Sequence, residues 1–287
     1  MEKGVYCGTV DCAEEVEKLH TVIGEDCCKL KIVIRLYVSD DHCVVPLGSK
    51  YGCTMEYIPQ LLKTCKKYHM EVVGVAFHVG SGNTYLNAYR DAIRDSKTVF
   101  DLATKEGFKM NVLDFGGGWA GDLGGSELSI QNLEKTHIII DNALKEFGFY
   151  EIEDLKLMSE PGRYFNDHTI SVVCSIIGVQ KHGDRVIYRL NEGIMGIFKD
   201  VVLCGGMGFE MIPLAGDKEN MVNCSLIGPS NLKNDIVKED VKLPLMNVGD
   251  SILFKKIGAY SLSLTTLALR KNQKCYYVIH KSSLSCL

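Results

Sequence analysis

The segment Glu71-Val-Val-Gly-Val-Ala-Phe-His78-Val-Gly80-Ser81-Gly82 carries the clearest structural signal in the chain. A nearly continuous apolar run of this length is typical of a strand buried on both faces, as in a parallel sheet covered by helices. The run ends in a histidine and a glycine-rich turn, where free backbone N–H groups can meet an anion. A core histidine followed by an ordinary turn fits the same pattern, and the segment alone does not decide between them.

The combination of a strand and a polar or glycine-rich end recurs along the first half of the chain. A strand followed by such a turn is found again at Asn111–Gly118 and at Leu155–Arg163. Two shorter apolar runs come earlier in the chain, at residues 4–11 and 31–38. Apolar residues at helical spacing lie between these runs, at residues 54–68, 92–103 and 133–147. Strands that alternate with helices predict a parallel sheet of βα units, with five strands where a closed (β/α)8 barrel needs eight. In the third helix we expect His137 to pack inward.

Candidate ligand-binding residues follow the predicted strands at their carboxyl ends, where active sites lie in such barrels. They are Arg35, His78, Ser81, Gly116, Gly117, Gly118, Glu160 and Arg163. A lone arginine in a buried strand needs a partner, so Arg35 is either a ligand contact or one half of an ion pair within the sheet. Three successive glycines indicate either close approach of a phosphate or a tight loop.

The second half of the chain has a different pattern. Short β-rich runs occur at residues 169–179, 185–190, 197–203, 221–227, 251–254 and 275–279, separated by Gly, Asn and Asp. This pattern predicts an all-β domain. We therefore expect a barrel-type domain over residues 1–166 and a β domain over residues 167–287.

Composition excludes several classes of protein. A net charge of −4 provides no basic surface for nucleic acid, and no apolar run is long enough to span a membrane. The twelve cysteines are scattered without a Cys-x-x-Cys motif, so we expect neither a metal site nor a redox motif. Free thiols and the lack of a signal-peptide pattern at the first residues indicate a cytoplasmic protein.

Four motifs together resemble one family. They are Phe77-His-Val-Gly-Ser-Gly82, Leu113-Asp-Phe-Gly-Gly-Gly118, Glu160-Pro-Gly-Arg-Tyr164 and Gly258-Ala-Tyr260. In order and spacing they are similar to the motifs of eukaryotic ornithine decarboxylases, a group that includes the antizyme inhibitors. The resemblance implies an alanine-racemase-like barrel followed by a Greek-key-like β domain, pyridoxal 5′-phosphate as cofactor, and a role in polyamine metabolism.

The resemblance also implies a role for each matching residue. His78 would stack on the cofactor ring and Glu160 would pair with its pyridine nitrogen, with Arg35 nearby. The remaining positions would surround the phosphate, and they are Ser81, Gly116, Gly117, Gly118, Arg163 and Tyr260. Lys50 and Asp235 match an ion pair across the dimer interface of the family, which implies a homodimer or a heterodimer with ornithine decarboxylase.

The chain departs from the family at its catalytic positions. The catalytic cysteine and a substrate-binding aspartate of the family fall on Asn231 and Leu232, and a second substrate-binding aspartate falls on Cys204. The Schiff-base lysine of the family lies on the first barrel strand, whereas the first strand here corresponds to about the fourth. We therefore expect no catalytic residue in this chain and, at most, non-covalent binding of the cofactor.

Two functions fit these departures. The first is an inactive homologue that acts by protein contact, as antizyme inhibitors do, and the resemblance places the antizyme-binding surface near Asp11 to Lys31. The second is part of an active pyridoxal-phosphate decarboxylase for ornithine or, because Leu232 and Cys204 lack charge, for a neutral amino acid.

Overall fold

A computed structural model describes residues 4–119, 121, 133–204, 209–265, 274 and 276, with the side chains of 203 and 204 excepted. Contacts within the chain divide it into two compact units. One unit extends to Ile170 and includes Phe209, and the other comprises the remaining residues from Ser171 onward.

The first unit is a sheet flanked by helices. Its strands are Cys7–Val10 (β1), Lys31–Arg35 (β2), Glu71–Ala76 (β3), Val112–Asp114 (β4) and Lys156–Met158 (β5). Its helices are Ala13–Ile23 (α1), Ile58–Lys67 (α2), Ala88–Lys105 (α3), Leu133–Glu146 (α4) and Arg163–Asn166 (α5). The described strands pair in parallel in chain order, β1-β2-β3-β4-β5. This order confirms the predicted βα units of a partial barrel.

Most of the core lies between the sheet and the helices. The predicted apolar stripe of α3 is buried in full, as is that of α2, where Pro59 lies in the first turn. At Pro59 the missing N–H would have no partner within the helix in any case. On the opposite face of the sheet, Val33, Val73 and Ala76 form a second, smaller cluster against Val112. The central strands therefore bury apolar side chains on both faces, as the apolar run of β3 predicts.

The expectation for His137 is wrong. Its side chain is exposed, and the buried face of α4 consists of Thr136, Ile140, Ala143 and Leu144. The reason is the helical phase: positions 136, 140, 143 and 144 form one stripe, and residue 137 lies beside it.

The second unit is a mixed β-sheet. Its strands are Val172–His182 (β6), Arg185–Leu190 (β7), Glu210–Pro213 (β8), Asp217–Ile227 (β9), Ile236–Leu245 (β10) and Ser251–Lys255 (β11). The order is β10-β9-β7-β6-β11-β8, in which β7 and β9 are parallel and the other pairs are antiparallel. The predicted combination of α/β and all-β parts is confirmed.

Two details of the β-domain prediction differ from the structure. The run at residues 197–203 is not a strand, because Lys199–Cys204 forms a short helix (α6). Strands β8 and β10 were not expected, since β10 carries Lys, Glu and Asp on its exposed face and interrupts the apolar alternation. The run predicted at residues 275–279 lies outside the described residues, apart from Tyr276.

None of the helices in the described part of the chain combines the length and the apolar character that crossing a bilayer requires.

Candidate functional site

Strand register brings the candidate residues of the first unit together. Arg35 of β2 is paired with Ala76 of β3, Ala76 with Asp114 of β4, and Asp114 with Met158 of β5. His78, Gly116 and Glu160 each follow their strand by two residues. Because the strands are parallel and in register, these residues lie along one edge of the sheet. A bond from the Glu160 N–H to the Gly116 carbonyl, 2.8 Å long, joins two of the three turns.

The His78 ring is held in one orientation by its own turn. Its Nδ1 accepts a hydrogen bond from the Gly80 N–H at 3.0 Å, which places the ring proton of the neutral form on Nε2. Burial and the positive charge of Arg35 lower the pKa of His78 from 6.5 to about 4, and Asp40 opposes this shift. At neutral pH His78 therefore presents an uncharged ring, which can stack on an aromatic cofactor.

Close packing within the chain explains the three glycines. Gly116 has φ of +60° and Gly118 has φ of +93°, a region that favours glycine. A Cβ on Gly116 would overlap the Phe77 carbonyl oxygen, and one on Gly118 would lie 2.7 Å from the Gly80 carbonyl oxygen. A Cβ on Gly117 would lie 2.6 Å from Nε2 of His78. The tight-loop interpretation therefore accounts for Gly116 and Gly118, and at Gly117 the absence of a side chain lets the backbone pack against the His78 ring.

Arg35 and Glu160 provide opposite charges at the same edge. The Arg35 guanidinium lies 4.7 Å from the centre of the Tyr51 ring, so a cation–π contact accompanies this half-buried charge. Partial burial and the Asp114 carboxylate raise the pKa of Glu160, and Arg35 acts in the opposite direction. Asp114 itself accepts a hydrogen bond from the Gly116 N–H at 2.9 Å. The Tyr51 contact is a third arrangement for Arg35, beyond the ligand contact and the ion pair.

Ser81 is held by the loop that follows β2. Its N–H donates to the Val45 carbonyl at 3.3 Å, and its carbonyl accepts from the Val45 N–H at 3.1 Å. The main chain of Ser81 is thus used for pairing. A role in binding an anion would fall to its hydroxyl.

Arg163 has a neighbour that the sequence analysis did not single out. Nη1 of Arg163 lies 3.2 Å from Oδ1 of Asp167, and both side chains are almost fully buried. The spacing of four residues is typical of an ion pair on a helix and could have revealed the contact. Asp114 and Tyr51 were also missed, because nothing in the sequence marks them as neighbours of Glu160 or Arg35.

The second unit holds the other candidates. Tyr260 has φ of +54° and is 42% exposed, and Leu232 is 50% exposed on the loop after β9. Asn231 is also exposed on that loop. Cys204 ends α6, and its side chain lies outside the described residues.

Asp235 closes the loop after β9. Its carboxylate is 3% exposed and accepts hydrogen bonds from the N–H groups of Ile194 and Ser230, both 2.9 Å long. Lys50, its expected partner across a dimer, is exposed in the first unit. Within one chain, therefore, Asp235 binds backbone groups, and its pairing with Lys50 stays a prediction.

We predict that His78 makes folding pH-dependent in weak acid. Its pKa is about 4 in the folded chain against an ordinary 6.5, so between these values the unfolded chain binds the proton and the folded chain does not. The contribution of His78 to the free energy of unfolding is therefore fully present above about pH 6.5. It decreases as the pH falls towards 4, by at most about 3 kcal/mol for this half-buried ring. Urea unfolding of the wild type and of His78→Gln at several pH values measures this difference.

The free energy of unfolding should depend on pH differently in the wild type and in His78→Gln only between about pH 4 and pH 6.5. Equal pH dependence in both would contradict the assignment. Arg35→Gln provides an independent check, because loss of the neighbouring cation should raise the pKa of His78, as followed by NMR titration of the ring.

Comparison with known proteins places this site in a family. Residues 1–167 match the model for the pyridoxal-binding domain of pyridoxal-dependent decarboxylases. Human (Homo sapiens) antizyme inhibitor 2 is 32% identical over 82% of this chain, and mouse (Mus musculus) ornithine decarboxylase is 30% identical over 88% of it. The chain spans 53% and 57% of the length of these two relatives.

A solved structure gives the same answer. The crystal structure of the arginine decarboxylase of Paramecium bursaria Chlorella virus, bound to agmatine, has a TM-score of 0.80 and 31% sequence identity. The match covers 94% of this chain and 71% of that one. The strand-end site described above thus belongs to a member of the pyridoxal-dependent decarboxylase family, whose cofactor is pyridoxal phosphate.

Proposed function

We propose that this chain is an ornithine-decarboxylase-like protein of polyamine metabolism that binds pyridoxal phosphate non-covalently and does not decarboxylate amino acids. Its role would be regulatory, of the antizyme-inhibitor type. The observation that carries the proposal is the loop after β9. There the resemblance calls for a cysteine and an aspartate, and the chain has Asn231 and the exposed Leu232.

The ring end of the site fits the cofactor. The neutral ring of His78 can stack on a pyridine, and the bond from the Gly80 N–H to its Nδ1 holds the ring in one orientation. Partial burial and Asp114 raise the pKa of Glu160, so a protonated ring nitrogen would provide the positive charge that stabilises its carboxylate. When bound, the cofactor supplies an electron-withdrawing ring.

Covalent attachment lacks support among the lysines nearest to Arg35 in the sequence. Lys29 forms an ion pair with Asp26 at 2.6 Å, and Lys31 begins β2 at the end opposite to the site. Lys50 is exposed on a loop. We therefore propose that the cofactor is held by stacking and polar contacts.

The substrate side of the site is unsuited to a diamino acid. A second ammonium group that is buried without a carboxylate costs several kcal/mol. Leu232 offers no charge, and an amide such as Asn231 replaces a cysteine that could exchange a proton. With these residues a bound amino acid would lack both its distal anchor and its proton donor.

Similarity to human antizyme inhibitor 2 supports the regulatory role. In the region that the resemblance assigns to antizyme, α1 has one buried residue, Val16, and exposes Glu14, Glu17 and Val22. An exposed acidic helix of this kind is available to a partner protein.

Antizyme binding tests the regulatory role directly. Purified antizyme, saturated with active ornithine decarboxylase, should release the enzyme when this chain is added, so that enzyme activity recovers. The variant Glu14→Lys/Glu17→Lys reverses charge on the exposed face of α1 and should weaken the effect. Failure of this chain to retain antizyme in a pull-down would exclude the regulatory role.

A second function is favoured by one feature. Leu232 is uncharged, which suits the side chain of a neutral amino acid, so the chain would then be part of an active decarboxylase. Release of labelled CO2 from leucine, methionine or phenylalanine in the presence of pyridoxal phosphate would support this alternative. No release from any of them would exclude it for this chain.

A further inference from the structure

Arg163, which the resemblance assigns to the cofactor phosphate, is already joined to a carboxylate. Its Nη1 donates to Oδ1 of Asp167 at 3.2 Å. The side chains of Arg163 and Asp167 are 10% and 4% exposed, respectively. At this depth, water and salt screen charges weakly. The Asp167 carboxylate therefore repels any anion that approaches the Arg163 guanidinium.

The surrounding main chain keeps this pair in place. A Cβ on Gly121 would overlap Oδ2 of Asp167 and would lie 2.9 Å from Cγ of Arg163. The backbone of Gly121 therefore packs directly against both side chains. On the other side, the N–H of Phe165 donates to the Gly162 carbonyl at 3.2 Å and fixes the turn that carries Arg163.

We infer that Asp167 is a specificity-determining residue that weakens binding of the cofactor phosphate and shifts the site towards the unphosphorylated ring. This inference rests on the proposed function, because it takes Arg163 to be a phosphate ligand. An unpaired guanidinium would offer a full positive charge to a phosphate dianion. In the Arg163–Asp167 ion pair the carboxylate offsets the charge of the guanidinium, and its negative charge would lie close to a phosphate bound by Arg163.

Two ligands that lack an aldehyde distinguish the contribution of the phosphate to binding from that of the ring. Pyridoxine 5′-phosphate and pyridoxine cannot bond to a lysine, so titration calorimetry with the full chain reports non-covalent binding alone. Asp167→Asn keeps the shape of the side chain and an oxygen that can accept from Arg163. It should bind pyridoxine 5′-phosphate about tenfold more tightly than the wild type does, with unchanged affinity for pyridoxine.

Three further measurements sharpen the result. Asp184→Asn, at an exposed position in the second unit, should leave both affinities unchanged. Arg163→Gln should weaken binding of the phosphorylated ligand more in the Asp167→Asn background than in the wild type. Thermal unfolding of each variant verifies that the chain is folded.

The possible outcomes are distinct. Equal or weaker binding of pyridoxine 5′-phosphate by Asp167→Asn would overturn the role of Asp167 and leave the cofactor site standing. If the wild type and every folded variant fail to bind either ligand, both the role of Asp167 and the proposed function are refuted.

Discussion

Gly116→Ala should destabilise the first unit by about 3 kcal/mol or more. A left-handed backbone costs a non-glycine residue about 1–2 kcal/mol, and Gly116 has φ of +60°. In addition, the new Cβ would overlap the carbonyl oxygen of Phe77, which is main chain between β3 and His78 and cannot rotate away. Relief requires the turns after β3 and β4 to separate, so the variant should also lose affinity for pyridoxine 5′-phosphate.

The matched control is Gly148→Ala in the same unit. Gly148 has φ of +72°, but the nearest atom to its Cβ position is a side-chain oxygen of Glu151 at 3.7 Å. This variant therefore carries the backbone cost without the overlap, and should lose about 1 kcal/mol. Urea unfolding of both variants measures the difference. Equal losses would mean that contact with Phe77 does not determine the glycine at position 116.

Asp235→Ala should destabilise the second unit by about 3 kcal/mol. The substitution removes two hydrogen bonds to a charged acceptor and leaves the buried Ile194 N–H without its partner. Gly193 and Gly228 lie so close to the carboxylate that a Cβ on either would overlap it. Hydrogen bonds and close packing at the Asp235 carboxylate therefore hold the loop that carries Asn231 and Leu232.

Two variants isolate this effect. Asp184→Ala, at an exposed hairpin position, should change stability by less than about 0.5 kcal/mol. Asp235→Asn keeps one acceptor oxygen and should fall between the wild type and Asp235→Ala. Unfolding should be measured at several protein concentrations. If Asp235→Ala alters only the concentration dependence and leaves the stability of the single chain unchanged, the residue acts across a dimer interface and not within the loop.

Much of the fold follows from the sequence because its strands and helices carry strong periodic patterns. The apolar run at residues 71–76 and the stripes of α2 and α3 are dictated by burial, and they are found as predicted. Helix α6 was mistaken for a strand, since six residues are too few for helical periodicity to appear. His137 was misplaced because a helix stripe is defined only to within about one residue by its pattern.

The site could be predicted less completely than the fold. Strand ends and glycine turns are visible in a sequence, so the sequence predicts that His78, Gly116 and Glu160 follow neighbouring strands, and the strand register places them along one edge of the sheet. Which charges neutralise one another depends on three-dimensional contacts. The approach of Asp167 to Arg163, and of Asp114 to Glu160, became apparent only in the folded chain. We expect these neighbours to influence how strongly the site binds an anion.

Leu232 on the loop after β9 and Asp167 beside Arg163 are both changes of charge. The ring of His78, the glycine turns and the position of Glu160 fit the proposed binding of the cofactor ring. The two aspartates that the resemblance assigns to a diamino-acid substrate are replaced by Leu232 and Cys204. A site of this kind can retain a ligand after losing the groups that act on a substrate.

The most direct test of this account is the release of CO2 from carboxyl-labelled ornithine by the chain saturated with pyridoxal phosphate. We predict release no faster than that caused by free pyridoxal phosphate at the same concentration. Release above that level, abolished by Glu160→Ala in a folded variant, would contradict the account and identify the chain as a working decarboxylase.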